Sequence, residues 1–215
     1  MRMGKQEKLE ATICEFIDDP PLDMYDVGVG YKSEYIVLGE KYPDMRIIGI
    51  EPSGSRFGDL VPEFPSLMFP YAAWDECTQL ELFRRNSEGG CGDAPTVFPS
   101  GPGKEELTEV ETVTAKTLDW IDEQMGGLDR ILLWMDIEGA ELKALQGATK
   151  MLEEHRVKWL NLEVMPSEVP APGWPLEKEI SDFLAGYGYK QVHKYGMRRW
   201  YQPSKPHYDA IYVLS

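Results

Sequence analysis

The chain has 215 residues, which fits one large domain or one domain with a small appendage. Lys and Arg number 22 against 37 Asp and Glu, and the net charge of −15 argues against non-specific binding to nucleic acid or an anionic membrane surface. No apolar stretch approaches the ~18 residues of a bilayer span, Met1 to Glu15 lacks the apolar run of a signal peptide, and the cysteines (Cys14, Cys77, Cys91) form no C-x-x-C pair, so a cytoplasmic protein without a disulfide framework or zinc cluster is expected.

In chain order, residues 5–19 carry Leu9, Ile13, Phe16 and Ile17 at helical spacing, and Asp19-Pro20-Pro21 stops that helix. Short apolar runs follow at 24–27, 46–50, 66–73, 130–135 and 158–164. They are nearly continuous rather than alternating, as expected for strands buried on both faces of a parallel sheet. Helical patterns lie between several of them, at 33–42, 118–125 and 141–154, and another follows at 176–184. Such alternation predicts a doubly wound α/β sheet. Residues 80–84 and 110–115 read as strands with no helix between them. The joining segment, 86–104, is rich in Gly and Pro and is expected to be a mobile loop. Runs at 190–194 and 210–214, separated by a turn-prone 196–206, predict a terminal antiparallel hairpin. The organisation is thus an N-terminal helix within 1–20, packed on or near a single domain at 21–215.

Asp26-Val27-Gly28-Val29-Gly30 ends the first predicted strand. Glycines there let the backbone turn sharply and approach a ligand closely. The third glycine of a dinucleotide fingerprint is missing, and the carboxylate ahead of the glycines suits a cationic ammonium better than a pyrophosphate. Glu51 ends the second strand, about 20 residues past the glycines, where an acidic residue accepts hydrogen bonds from ribose hydroxyls. Asp136-Ile137-Glu138-Gly139-Ala140-Glu141 clusters carboxylates where a strand hands over to a helix. Glu138 and Glu141 read as complements to the helix dipole, whereas Asp136 stands at the strand tip. Asp26, Glu51 and Asp136 are expected to converge on one acidic crevice that favours a nucleoside-bearing cation over a polyphosphate.

Five blocks, Asp26-Val27-Gly28-Val29-Gly30, Ile50-Glu51-Pro52, Ala72-Ala73-Trp74, Thr117-Leu118-Asp119 and Met135 to Glu141, resemble in order the FkbM-like class I methyltransferases, which use S-adenosylmethionine. The resemblance spans residues 25–163. It implies a seven-stranded, mostly parallel, Rossmann-like sheet with a terminal antiparallel hairpin, and O-methylation of a small-molecule or sugar hydroxyl. By position it also implies that Asp26, Gly28 and Gly30 hold the methionine part of the cofactor, that Glu51 binds the ribose, and that Ala72 and Ala73, ending the third strand, flank the adenine. Asp136 would lie near the transferred methyl. Two departures stand out: Gly30 replaces an Asn common in the first motif, and Glu163-Val164-Met165 lacks the histidine of a Glu-x-His block. The lead before Tyr25 is expected to leave no room for a separate substrate domain.

Methyl transfer needs the acceptor oxygen in line behind the methyl, so much of the rate can come from positioning. Asp136 is the candidate base or acceptor-orienting group, with cofactor binding alone as the other reading. His193 and His207 read as structural, and His155 lies at the far end of its helix. The exit of the sixth strand carries Met197-Arg198-Arg199-Trp200-Tyr201, a basic and aromatic cluster suited to a sugar, aromatic or anionic acceptor. Trp174 in 166–175 would add a wall, and 86–104 would close as a lid. Neither nucleic acid, membrane nor a metal ion is expected as a partner. The competing classes are a catalytically silent S-adenosylmethionine-binding regulatory or interaction protein, a nicotinamide oxidoreductase and, least favoured by charge, an RNA methyltransferase.

Overall fold

The computed structural model describes residues 11–30, 35–85, 95–98, 107–166, 174–198 and 207–215. Its main sheet is built from β1 (Asp23–Val27), β2 (Arg46–Ile50), β3 (Leu67–Phe69), β7 (Ile131–Met135), β8 (Val157–Val164), β9 (Tyr189–Arg198) and β10 (His207–Leu214), in the order β3-β2-β1-β7-β8-β10-β9. β10 runs antiparallel to both neighbours, and the other pairs of adjacent strands are parallel. The helices are α1 (Tyr35–Lys41), α2 (Gly54–Leu60), α3 (Leu118–Gln124), α4 (Glu141–Gln146), α5 (Thr149–Glu153) and α6 (Glu177–Ala185). A second, three-stranded sheet has the order β4-β6-β5, from β4 (Ala72–Ala73), β5 (Thr78–Arg85) and β6 (Leu107–Lys116). This is the doubly wound fold expected, with the terminal hairpin in place. No helix among the described residues is long and apolar enough to cross a membrane.

The near-continuous apolar runs are explained by burial on both faces. Tyr25, Val27, Ile48, Ile50, Leu133, Met135, Leu160 and Leu162 pack with Leu118, Ile121, Leu145, Met151, Ile180 and Leu184 on one side. On the other, Met24, Ile47, Leu132, Trp134, Trp159 and Ile211 meet Ile13, Leu38 and Phe64. At the amino ends of the strands, Tyr25 donates its hydroxyl to Asp122 at 3.0 Å and Arg156 pairs with the other Asp122 oxygen at 2.6 Å, so this buried carboxylate has its charge matched. Burial and that neighbouring carboxylate raise the Tyr25 phenol well above its ordinary range.

Several boundaries differ from those expected. The 66–73 run is two strands in two sheets: Leu67–Phe69 pairs with β2, and Ala72 and Ala73 pair with Ala115 and Lys116 of β6. Ala72 and Ala73 therefore do not end the third strand of the main sheet. Of the N-terminal helix, Ala11–Glu15 is a 3₁₀ turn, and residues 1–10 lie outside the described set. The helix expected at 141–154 breaks at Gly147-Ala148. There the Trp74 carbonyl oxygen occupies the place of a Gly147 side chain, and Asp119 captures the N–H groups of Lys150 and Met151 at 2.9 and 3.1 Å to start a new helix. Helix α2 was not anticipated, because two glycines and two serines in its neighbourhood give no apolar period. β9 extends to Arg198, so Met197 and Arg198 are strand residues and not part of the exit loop. Arg199, Trp200 and Tyr201 lie outside the described residues, as does most of the expected loop 86–104.

Candidate active site

The register of the parallel strands decides which side chains meet. Val27 lies opposite both Ile50 and Met135, so the three strands end level, and Gly28, Glu51 and Asp136 follow from them at one height. Met135 lies opposite Leu162, which puts Glu163 beside Asp136. Hydrogen bonds stitch the tips together: Gly28 N–H donates to the Ile50 carbonyl at 2.8 Å, and Asp136 N–H to the Val27 carbonyl at 3.1 Å. Gly28 has φ +85°, and a Cβ added there would stand 2.3 Å from the Asp136 carbonyl oxygen. The glycine is required by that contact with the fourth parallel strand's exit, as well as by its own turn.

Glu51 is 2% exposed. One carboxylate oxygen accepts the Gly30 N–H at 3.2 Å and the other the Ser53 N–H at 2.9 Å. The side chain thus bridges the glycine turn and the start of α2, which fixes its orientation at the tip of β2. Asp26 is 1% exposed, and strand alternation puts it on the sheet face of Met24, opposite Tyr25 and Val27. Asp136 is half-buried, and one of its carboxylate oxygens lies within 4.8 Å of an oxygen of Glu138 and of an oxygen of Glu163. Three carboxylates this close suit hydroxyl donors or a cation lying among them.

The turn Asp136–Ala140 is gripped from several directions. Glu138 adopts φ 54°, an uncommon conformation for a side-chain-bearing residue, and its carbonyl accepts the Thr96 hydroxyl at 3.2 Å. The Trp174 indole packs against Gly139, so the residue expected as an acceptor wall is also a support for this turn. Glu141 is 1% exposed and accepts the Ile137 N–H at 3.1 Å. It binds the turn's own amides rather than merely complementing a helix dipole. Burial pushes its carboxyl up to about 8, with Asp136 and Glu138 adding repulsion. Thr117-Leu118-Asp119 proves structural: Thr117 accepts the Trp120 N–H at 3.0 Å and caps α3, Leu118 is buried, and Asp119 caps α5.

The structure brings Gly28, Glu51 and Asp136 to one edge of the sheet, adds Glu163, which the sequence marks only in the Glu163-Val164-Met165 block, and shows Thr96 and the bracing by Glu141, which sequence reasoning missed. The spacing of Glu141 two residues after Gly139 was the available signal. A carboxylate that follows a tight Gly turn can fold back on it, as in an N-terminal capping box. For Thr96 there was none, because its contact with Glu138 spans 42 residues. The backbone places His193 next to Ile211 within the hairpin, where its ring lies against Phe16 and Tyr195, in keeping with a structural role.

The model of the methyltransferase FkbM domain family matches residues 58–190, well over half of the chain. The chain belongs to that family. The matched span contains the Thr117–Asp119 and Asp136–Glu141 blocks and begins after the glycine turn and Glu51. Among solved structures, the FkbM methyltransferase of Methylobacillus flagellatus KT is similar at 13% identity and a TM-score of 0.57, over 95% of this chain and 47% of that one. A SAM-dependent methyltransferase from Anabaena variabilis ATCC 29413 is similar at 12% identity and a TM-score of 0.53, over 97% and 83%. These likenesses are of fold. The chain spans about half the length of the Methylobacillus protein. No curated protein matches the chain in sequence.

Proposed function

We propose that this FkbM domain is an S-adenosylmethionine-dependent O-methyltransferase acting on a small-molecule or sugar hydroxyl. The observation that carries the reading is the in-register meeting of the Gly28–Gly30 turn, the Glu51 carboxylate and the Asp136 turn at one sheet edge. Membership of the FkbM methyltransferase domain family and the name of the Anabaena protein support the choice of cofactor. So does the donor set. A cofactor with a cationic sulfonium, an ammonium and a ribose diol calls for carboxylates and close-approaching backbone, and Asp26, Glu51, Asp136, Gly28 and Gly30 offer them. When bound, that cofactor supplies an electrophilic methyl group.

The chain's own residues then have separable tasks. Glu51 presents carboxylate lone pairs whose direction is set by the Gly30 and Ser53 amides, which suits the two hydroxyls of a ribose. Asp26 contributes negative charge at the glycine turn. Asp136 orients the acceptor hydroxyl and takes up its proton as transfer proceeds, a contribution of roughly 10²–10⁴-fold for a positioned base. Glu163, level with Asp136, strengthens the preference of the edge for hydroxyl donors. Acceptor choice is assigned to Arg198, Arg199, Trp200 and Tyr201, with Trp174 as a wall. A silent cofactor-binding protein remains the second reading, favoured by Glu163-Val164-Met165 in place of Glu-x-His.

Titration calorimetry with S-adenosylmethionine and with NAD tests the cofactor, and a screen of hydroxyl compounds for methyl transfer tests the chemistry. Binding of S-adenosylmethionine without NAD, followed by methylation of a hydroxyl, is expected. Binding without transfer to any acceptor would favour the silent protein, and binding of NAD alone would overturn both readings.

A further inference from the structure

The reading above gives Glu141 no part in the chemistry, yet its geometry bears directly on Asp136. The Asp136 Cα lies between two peptide groups. The one before it donates its N–H to the Val27 carbonyl at 3.1 Å. The one after it donates the Ile137 N–H to Glu141 Oε1 at 3.1 Å, and the same oxygen reaches the Gly139 N–H at 3.5 Å. With both flanking peptide planes tied, the backbone dihedrals of Asp136 are set, and its side chain leaves the chain in one direction. The helix cannot supply the second tie from its own ladder, because α4 begins at Glu141 and these amides precede it. Nor is the turn self-supporting, since Glu138 sits at φ 54°.

We propose that Glu141 is a positioning residue for methyl transfer, whose buried carboxyl oxygen holds the Asp136–Gly139 turn so that the Asp136 carboxylate faces the acceptor. The proposal rests on the reading of Asp136 as the acceptor-orienting group. Glu141 acts through the backbone, its Oε1 accepting from the Ile137 and Gly139 amides. What the turn uses is an acceptor oxygen and not a charge. Burial pushes the carboxyl up to about 8, and the charged groups acting on it, Asp136 and Glu138, add to that. Lys143 on the same helix is engaged with Asp75 at 2.5 Å. A proton held there leaves a carbonyl oxygen that accepts as an amide oxygen would, and Glu141→Gln copies it. Glu141→Leu keeps much of the volume and removes the acceptor.

Three readouts separate the possibilities: calorimetric affinity for S-adenosylmethionine, single-turnover methyl transfer to an acceptor found in the hydroxyl screen, and hydrogen exchange at the Ile137 and Gly139 amides. In Glu141→Leu, transfer should slow at least tenfold while cofactor affinity stays within threefold, and Ile137 should exchange at least tenfold faster. Glu141→Gln should restore transfer to within threefold of the parent and restore protection. Parent-like transfer in the Leu variant overturns the proposal. So does a Gln variant as slow as the Leu variant, or a loss of affinity equal to the loss of rate. If the parent protein binds no S-adenosylmethionine, the proposed function fails instead. The exchange experiment then decides alone: unchanged protection of Ile137 in the Leu variant overturns the brace, and lost protection rescued by Gln supports it.

Discussion

Replacing Gly28 by Ala tests whether the glycine turn and the Asp136 turn are one mechanical unit. Two costs add. An L side chain at φ +85° is strained by roughly 1–2 kcal/mol. The new Cβ would also lie 2.3 Å from the Asp136 carbonyl oxygen and 2.8 Å from Ile137 Cγ2. That oxygen is main chain, and the turn is anchored at Val27 and at Glu141, so relief requires moving the turn. Overpacking of this kind costs about 1–3 kcal/mol, for a total of about 2–5 kcal/mol. Gly126 is the internal control: it has the same φ of +85°, and nothing stands within 4 Å of a Cβ built there. Gly126→Ala should lose only the dihedral part. Denaturant unfolding of both variants, with S-adenosylmethionine calorimetry alongside, measures the difference. Gly28→Ala should be the less stable by about 1–3 kcal/mol and should lose cofactor affinity, whereas Gly126→Ala keeps it. Equal destabilisation of the two variants, or parent-like binding by Gly28→Ala, would refute the claim that the turns are locked together.

Glu51→Ala should weaken S-adenosylmethionine binding by roughly 1.5–3 kcal/mol, the worth of hydrogen bonds to a charged group, and unchanged calorimetric affinity would remove Glu51 from the site. Asp136→Asn should reduce turnover more than cofactor affinity, since size and some hydrogen bonding persist, and equal losses would reduce Asp136 to a cofactor contact. Asp122→Ala removes one of the two carboxylates that pair with half-buried Arg156, Glu154 remaining at 2.8 Å, and leaves the Tyr25 hydroxyl and Leu128 N–H without their Asp122 partner. It should cost about 2–4 kcal/mol in denaturant unfolding, the desolvation cost of two orphaned polar groups, and a loss below about 1 kcal/mol would show that solvent replaces these bonds. Glu141 has its folded-state carboxyl raised by burial to about 8, above its ordinary value, so between roughly pH 4.5 and 8 the folded state holds more protons than the unfolded one. That contribution to stability is present at low pH and is lost as pH rises to about 8. Glu141→Gln should therefore gain relative to the parent across this window and level off above it, and parallel stability curves for the two would contradict the raised value.

What the sequence determined by itself follows from patterns shorter than a single element. Continuous apolar runs such as Ile131–Met135 specify strands buried on both faces, and glycines and carboxylates just past them mark the tips where such a sheet binds ligands. Those rules locate Gly28, Glu51 and Asp136. Where the chain changes partners, local pattern carries no information. Ala72 and Ala73 continue the apolar run of β3, yet join the second sheet because β6 offers them hydrogen-bonding partners 43 residues further on, at Ala115 and Lys116. The break at Gly147 is likewise imposed from Trp74 and Asp119, and the support of the Asp136 turn comes partly from Thr96 and Trp174. Glu141 shows the division within one residue. Its position after a Gly turn is legible in the sequence. Its burial, and hence its raised carboxyl and its hold on Ile137, exists only once α4 packs against the strand tips and water is excluded from the turn.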